Sequence, residues 1–271
     1  MNILIIGDVV GSAGRAVLNG NLARLKTKLK VDFAIVNGEN AAHGFGITGA
    51  ICDTMYQSGA DCITTGNHAF DRRDVIDQMG RDDKILRPIN YPPGTPGRGY
   101  KVYTTENGKR IMVANVMCRL FMELLDDPFQ AAADLLDRYR LKRDVDAVIF
   151  DLHGEATSEK QAFGHYVDGR ATAVVGTHTH VPTADGRIMP GGTAYQSDLG
   201  MTGDYDSVIG MRKEGATSRF ISKGERVRLE PADGDGTLCG VLVSTDDKTG
   251  LAKRIQPIRI GAHLAEIMPK V

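Results

Sequence analysis

The chain has no tryptophan, and aromatic residues make up only 6% of its 271 positions. No aromatic cluster is apparent that must stack a base, so a nucleobase would be weakly read. The four cysteines, Cys52, Cys62, Cys118 and Cys239, form no C-x-x-C pair. That removes a zinc knuckle and a dithiol redox motif, leaving free buried thiols of a reducing cytoplasm as the expectation. No run approaches the roughly 18 apolar residues of a membrane helix. The opening MNILIIGDVV lacks the basic n-region and the cleavage site of a signal peptide. With 33 basic and 34 acidic residues the net charge is −1. No whole-chain basic field exists to hold long nucleic acid, although a small nucleotide is not excluded. The expectation is a cytoplasmic protein without membrane attachment; a homo-oligomer is compatible with the sequence.

What is present is ordinary globular composition, 42% hydrophobic and 25% charged. The segment Asn2–Gly7 reads as a short buried strand. Helical spacing follows over Gly14–Lys30, then a strand over Phe33–Val36, a helix over about Gly49–Gln57 and a strand over Cys62–Thr65. That alternation predicts right-handed βαβ units and a parallel sheet. Asn90–Gly99 is the strongest loop signal. Tyr100–Thr105 and Arg110–Val116 read as a hairpin, Phe129–Leu141 as a helix, and Ala147–Phe150 and Ala171–Val175 as strands. The tail beyond Lys223 alternates, as in VRLE, CGVLVS and KRIQPIRI, and predicts antiparallel strands. No repeat or boundary divides the chain, so one domain over residues 1–271 is expected, with two packed sheets flanked by helices.

Each expected parallel strand runs into a polar cluster at its carboxyl end: Asp8, Glu39-Asn40, Asn67-His68, His153, and His178 with His180. In open α/β sheets the loops at that edge converge on one crevice. The mixed oxygen and nitrogen set has too many donors for one tetrahedral zinc and lacks the thiolates of a structural site. It suits two divalent ions sharing a carboxylate, with Glu39 the natural bridge. An extended chain through Thr179 would send His178 and His180 to the same side, one for each metal. Taken singly each residue has a plainer reading: Asp8 as a cap, Asn40 and Asn67 as turn residues, His153 as a core histidine. Together they favour a metal centre. His43, His165 and His263 fall outside it, although His43, in AAHGFG, could overhang the site.

The motifs GDVVG, NGENAA, TGNHAFD, DLHGEA and GTHTH, in this order, resemble the calcineurin-like metallophosphoesterase superfamily. Two departures stand out. Val10 occupies the place of a metal-binding histidine in the first motif, and Glu39 followed by Asn40 replaces the bridging aspartate. Both are characteristic of the bacterial YmdB-like phosphodiesterase branch, and the likeness extends through TSEKQAFGHYVDGR and DLGMTGDYDSVIGM to most of the chain. The resemblance implies a four-layer αββα sandwich and a dinuclear centre hydrolysing phosphodiesters, with 2′,3′-cyclic nucleotides the best-known substrate class. It implies that Asp8, Glu39, Asn40 and His180 hold one metal, and that Glu39, Asn67, His153 and His178 hold the other. His68 would give a proton to the leaving group after in-line attack by a hydroxide shared between the cations. Iron or manganese is favoured as the cofactor, with zinc compatible. Cys118 stands where glycine is expected in this branch.

Two rivals come from other classes. GDVVGSAG follows a strand as a dinucleotide fingerprint does, but Val9 stands where that fingerprint needs its second glycine. A regulatory protein that binds metal and nucleotide with little turnover would need the same ligands, and only the presence of His68 beside them favours an enzyme.

Overall fold

The computed structural model describes residues 1–221 and 227–270. In chain order the elements are β1 (Asn2–Ile6), α1 (Gly11–Lys28), β2 (Phe33–Asn37), α2 (Gly49–Gln57), β3 (Cys62–Thr64), α3 (Arg73–Arg81) and β4 (Ile85–Leu86). There follow β5 (Tyr100–Thr104), β6 (Arg110–Met117), α4 (Pro128–Arg138), β7 (Ala147–His153), α5 (Thr157–Val167), β8 (Ala173–Thr177), β9 (Arg187–Ile188) and β10 (Ala194–Gln196). The last are β11 (Gly203–Asp204), α6 (Lys213–Ile221), β12 (Gly236–Thr245) and β13 (Ala252–Gly261).

They make two mixed sheets. The first has the order β11-β12-β1-β2-β3-β4, with β13 also paired to β12; the second has the order β5-β6-β7-β8-β10-β9. Strands β1 to β4 are mutually parallel, and so are β6, β7, β8 and β10, whereas β12 and β13 are antiparallel as their alternation predicts.

Three apolar layers explain the stacking. In β1, Leu4 and Ile6 pack with Leu18, Leu22 and Leu25 of α1. Ile3 and Ile5 point the other way and meet Ile111, Val113, Ile149 and Val175 of the second sheet. The far face of that sheet, through Val148 and Phe150, packs on Leu135 and Leu136 of α4 and Phe163 and Val167 of α5. Successive strand side chains alternate between faces, so a strand covered on both sides is apolar on both faces except where it reaches the polar edge. The result is the four-layer αββα sandwich.

Some elements depart from expectation. Helices α3 and α5 are additional to the expected elements: α3 buries only Val75 and Met79, and the buried face of α5 includes Lys160 and Gly164. Gly164 is required because a Cβ there would lie 2.6 Å from the Tyr195 ring. Val227–Glu230 is not a strand; residues 224–226 of the expected alternating tail lie outside the described residues. Strand β7 runs three residues beyond Phe150 and carries Asp151 and His153 within it. All four cysteines are free and buried, and no described helix is long and apolar enough to cross a membrane.

Candidate metal centre

The parallel registers align the strand ends. Asn37 of β2 lies opposite Thr64 of β3, and His153 of β7 lies between Met117 of β6 and Thr177 of β8. The loops that follow bring Asp8, Glu39, Asn40 and Asn67 from the first sheet against His153, His178 and His180 from the second. Ligand atoms of Glu39, His153 and His178 lie within 4.8 Å of one another, as do those of Asp8, Glu39 and His180, so Glu39 belongs to both groups. His153 Nε2 is 3.1 Å from Glu39 Oε1, 2.9 Å from Asn67 Oδ1 and 3.1 Å from His178 Nδ1. His180 Nε2 is 3.3 Å from Asn40 Oδ1.

The hydrogen bonds around this cluster draw its donors outward. Thr177 donates its hydroxyl to Asp151 Oδ1 at 2.7 Å, so it accepts from His153 Nδ1 at 3.0 Å. Asp151 is itself a full acceptor, taking Thr64 Oγ1 at 2.5 Å and Asn37 Nδ2 at 3.0 Å. His180 Nδ1 donates to the Ile209 carbonyl at 2.8 Å, and Asn40 Nδ2 donates to the Gly44 carbonyl at 3.0 Å. What remains pointing inward is a set of lone pairs: three imidazole nitrogens, two amide oxygens and two carboxylates. Asp8 Oδ1 is buried with no hydrogen-bond partner among the described residues. A buried acceptor without a donor costs roughly 1–3 kcal/mol, and several facing one another form a set that a bound cation would satisfy. The donor set therefore fits divalent metal ions on observations independent of the motifs.

Electrostatics agree. Burial pushes the Asp8 carboxyl up to about 7, against the pull of His180 and His153. Burial also works against ionisation of Glu39, but His153, His68 and His178 hold it down to about 2. His178 is pushed down to about 3 by burial and by His153. His153 is also penalised by burial, yet Glu39, Asp8 and Asp151 raise it above its ordinary range. The buried carboxylates and His153 thus offset one another's charge.

The GTHTH stretch works differently from the expected pleat. Strand β8 ends at Thr177, and His178 and His180 both adopt left-handed backbone, φ 99° and 66°. Such values are costly for residues with a Cβ and persist only where the surroundings impose them. Here Asp8 Oδ2 takes the His178 amide at 3.2 Å, and Asp198 Oδ2 takes the Thr179 amide at 3.0 Å. The turn, rather than strand alternation, sends the two imidazoles to different groups. Asp198 is held in turn by Lys160 Nζ at 2.9 Å, both side chains being buried.

His68 lies at the edge of the cluster. Its amide donates to Glu39 Oε2 at 3.3 Å, its Nδ1 is 2.8 Å from Asp71 Oδ2, and its ring packs edge-on against Phe45. Gly66 gives the close approach, because a Cβ there would collide with Glu39 Oε2 and with the His153 ring. Cys118 packs directly on Gly154, and its amide donates to the His153 carbonyl at 2.8 Å. His43, His165 and His263 stay outside the cluster and are exposed. Sequence reasoning missed Asp151, Thr177, Lys160 and Asp198. A charged residue two positions before His153, in an otherwise apolar strand, was the available signal for Asp151. Nothing local marks a lysine of α5 as buried.

Comparison with known proteins gives one family. A profile described as YmdB-like protein matches residues 4–258. The chain is 49% identical over 260 residues to a 2′,3′-cyclic-nucleotide 2′-phosphodiesterase of Bacillus subtilis strain 168, covering 96% of this chain and 97% of that protein. Among solved structures, a hypothetical protein from Thermus thermophilus superposes with a TM-score of 0.89 at 39% identity, over 96% of this chain and 99% of the other. A novel phosphatase of Mycoplasma pneumoniae gives 0.87 at 35% identity, over 96% and 93%.

Proposed function

The chain belongs to the YmdB-like protein family, and from that premise we propose that it is a metal-dependent phosphodiesterase hydrolysing a small phosphodiester, a 2′,3′-cyclic nucleotide being the preferred class. The relative from Bacillus subtilis supports the substrate class through its name. One observation carries the metal dependence: the inward lone pairs around Glu39, with the orphaned Asp8 Oδ1 among them.

In this reading Asp8, Glu39, Asn40 and His180 hold one ion, and Glu39, Asn67, His153 and His178 hold the second, with iron or manganese preferred. When bound, such ions polarise phosphoryl oxygens and make water acidic enough to attack in line. The protein's own part is orientation and proton supply. Thr177 and Ile209 fix the tautomers of His153 and His180, so that each presents Nε2. His68 is the proton donor to the leaving oxygen. Asp71 occupies its Nδ1 at 2.8 Å, which aims Nε2 away from that carboxylate. General acid assistance of this kind contributes about 10²–10⁴ in rate.

The test is turnover of adenosine 2′,3′-cyclic phosphate by protein loaded with manganese or iron, beside Glu39→Gln. Release of a nucleoside monophosphate by the wild type, lost in the variant together with its metal, is expected. Tight binding of the cyclic nucleotide with no product over hours would favour a regulatory nucleotide-binding protein instead.

A further inference from the structure

The loop that delivers Glu39 and Asn40 to the metal centre continues into a second cavity. Its backbone is closed on itself: Gly44 N donates to the Asn40 carbonyl at 3.1 Å, and Ala42 N to the Gly46 carbonyl at 2.8 Å. Arg72 clamps it from outside, with Nη2 on the Ala42 carbonyl at 2.7 Å and Nε on the Phe45 carbonyl at 3.0 Å. Left-handed backbone at His43, φ 57°, directs that residue outward. Beyond the loop opens a cleft of about 320 Å³ lined by His43, Phe45, Arg72, Arg219, Arg228 and Leu229.

Three guanidinium groups, one imidazole and one phenyl ring face this space, and no carboxylate lines it among the described residues. Arg72 and Arg219 bind backbone carbonyls, which orients them without cancelling their charge. The neighbouring cleft around Ser12 shares His43, Arg228 and Leu229 but is also lined by Glu230 and Asp233, the latter paired with Arg212 at 2.9 Å. An anion therefore prefers the first cleft. Planar guanidinium forks match phosphate oxygens two at a time.

Position completes the argument. Phe45 is at once a wall of the cleft and the ring packed on His68, centroid to centroid 5.1 Å at 75°. A leaving oxygen that receives its proton from His68 belongs to the ribose, which puts the nucleoside on the side where Phe45 joins His68 to the cleft.

We propose that this cleft is a subsite for a second phosphate of the substrate, placed on the leaving-group side, so that the substrate is a 2′,3′-cyclic phosphate whose nucleoside also carries a 5′-phosphate. The same two groups, the 5′-phosphate there being a diester to the preceding nucleotide, stand at an RNA end left by internal transesterification, and that is the class of reaction that supplies such a substrate. The inference rests on the function proposed above.

The experiment uses the manganese-loaded full chain. KM is measured for adenosine 2′,3′-cyclic phosphate and for its 5′-phosphorylated form, in the wild type, Arg228→Ala and Arg219→Ala. A wild-type KM about tenfold lower for the 5′-phosphorylated compound at low salt is expected, shrinking as salt rises and collapsing towards a ratio of one in the variants. Equal KM values in the wild type, or an advantage surviving in both variants, overturn the subsite. Hydrolysis of neither compound would refute the catalytic reading alone. The subsite is then judged by titrating the loaded protein with adenosine 5′-phosphate. A Kd weakened about tenfold in Arg228→Ala supports it, and an unchanged Kd overturns it.

Discussion

Thr177 stands between His153 and Asp151, accepting from His153 Nδ1 at 3.0 Å while donating to Asp151 Oδ1 at 2.7 Å. One hydroxyl thus converts a buried carboxylate into a constraint on an imidazole tautomer. Thr177→Val keeps the shape and removes the hydroxyl. The expected result is a loss of metal affinity of about 10–100-fold, read by equilibrium dialysis, with Thr177→Ser restoring it. Affinity unchanged in the valine variant would disprove the tautomer constraint.

Gly66 sits where a Cβ would collide with both Glu39 Oε2 and the His153 ring. In Gly66→Ala the two side chains, proposed as metal ligands, must separate. Metal stoichiometry should fall below half that of the wild type while the far-ultraviolet circular dichroism spectrum stays native. Full metal content in this variant would contradict the geometry of the centre.

His68 is held by Asp71 and by Phe45 without forming part of either ligand group. His68→Ala should retain metal and lose about 10²–10⁴ in rate on a poor leaving group. The loss should be far smaller on p-nitrophenyl esters, whose oxygen needs no proton. An equal loss on both substrates would reject the proton donor.

Lys160 and Asp198 form an ion pair with both side chains only 1% exposed. Removing one partner strands a charge in the interior, a loss of about 3–5 kcal/mol. Lys160→Met should therefore lower Tm by several degrees or more in calorimetry, and should loosen the His178–His180 turn that Asp198 supports. A Tm within a degree of the wild type would mean that the pair contributes little.

Loading with manganese should raise Tm of the wild type, since a ligand of the native state stabilises it by about 2.7 kcal/mol at 100 times Kd. The increase should disappear in Asp8→Asn combined with Glu39→Gln. A Tm that ignores metal in the wild type would argue against a buried centre.

The sequence by itself determined the parallel core of the fold and the cluster at its edge. Strands buried on both faces are apolar on both except at the polar edge, so NILII and FAIVN announce themselves, and a polar residue at the end of such a run stands out. Asp8, Glu39, Asn67 and His153 were legible for that reason. Only the tertiary structure decided how the cluster closes. The left-handed turn at His178 and His180 is imposed by Asp8 and Asp198, which lie 170 and 19 residues away along the chain from the amides they accept. The buried state of Lys160 depends on a partner 38 residues distant, and the arginine cleft gathers side chains from separate segments of the chain. Local patterns record which face a residue must bury; they carry no record of the distant group that satisfies its charge.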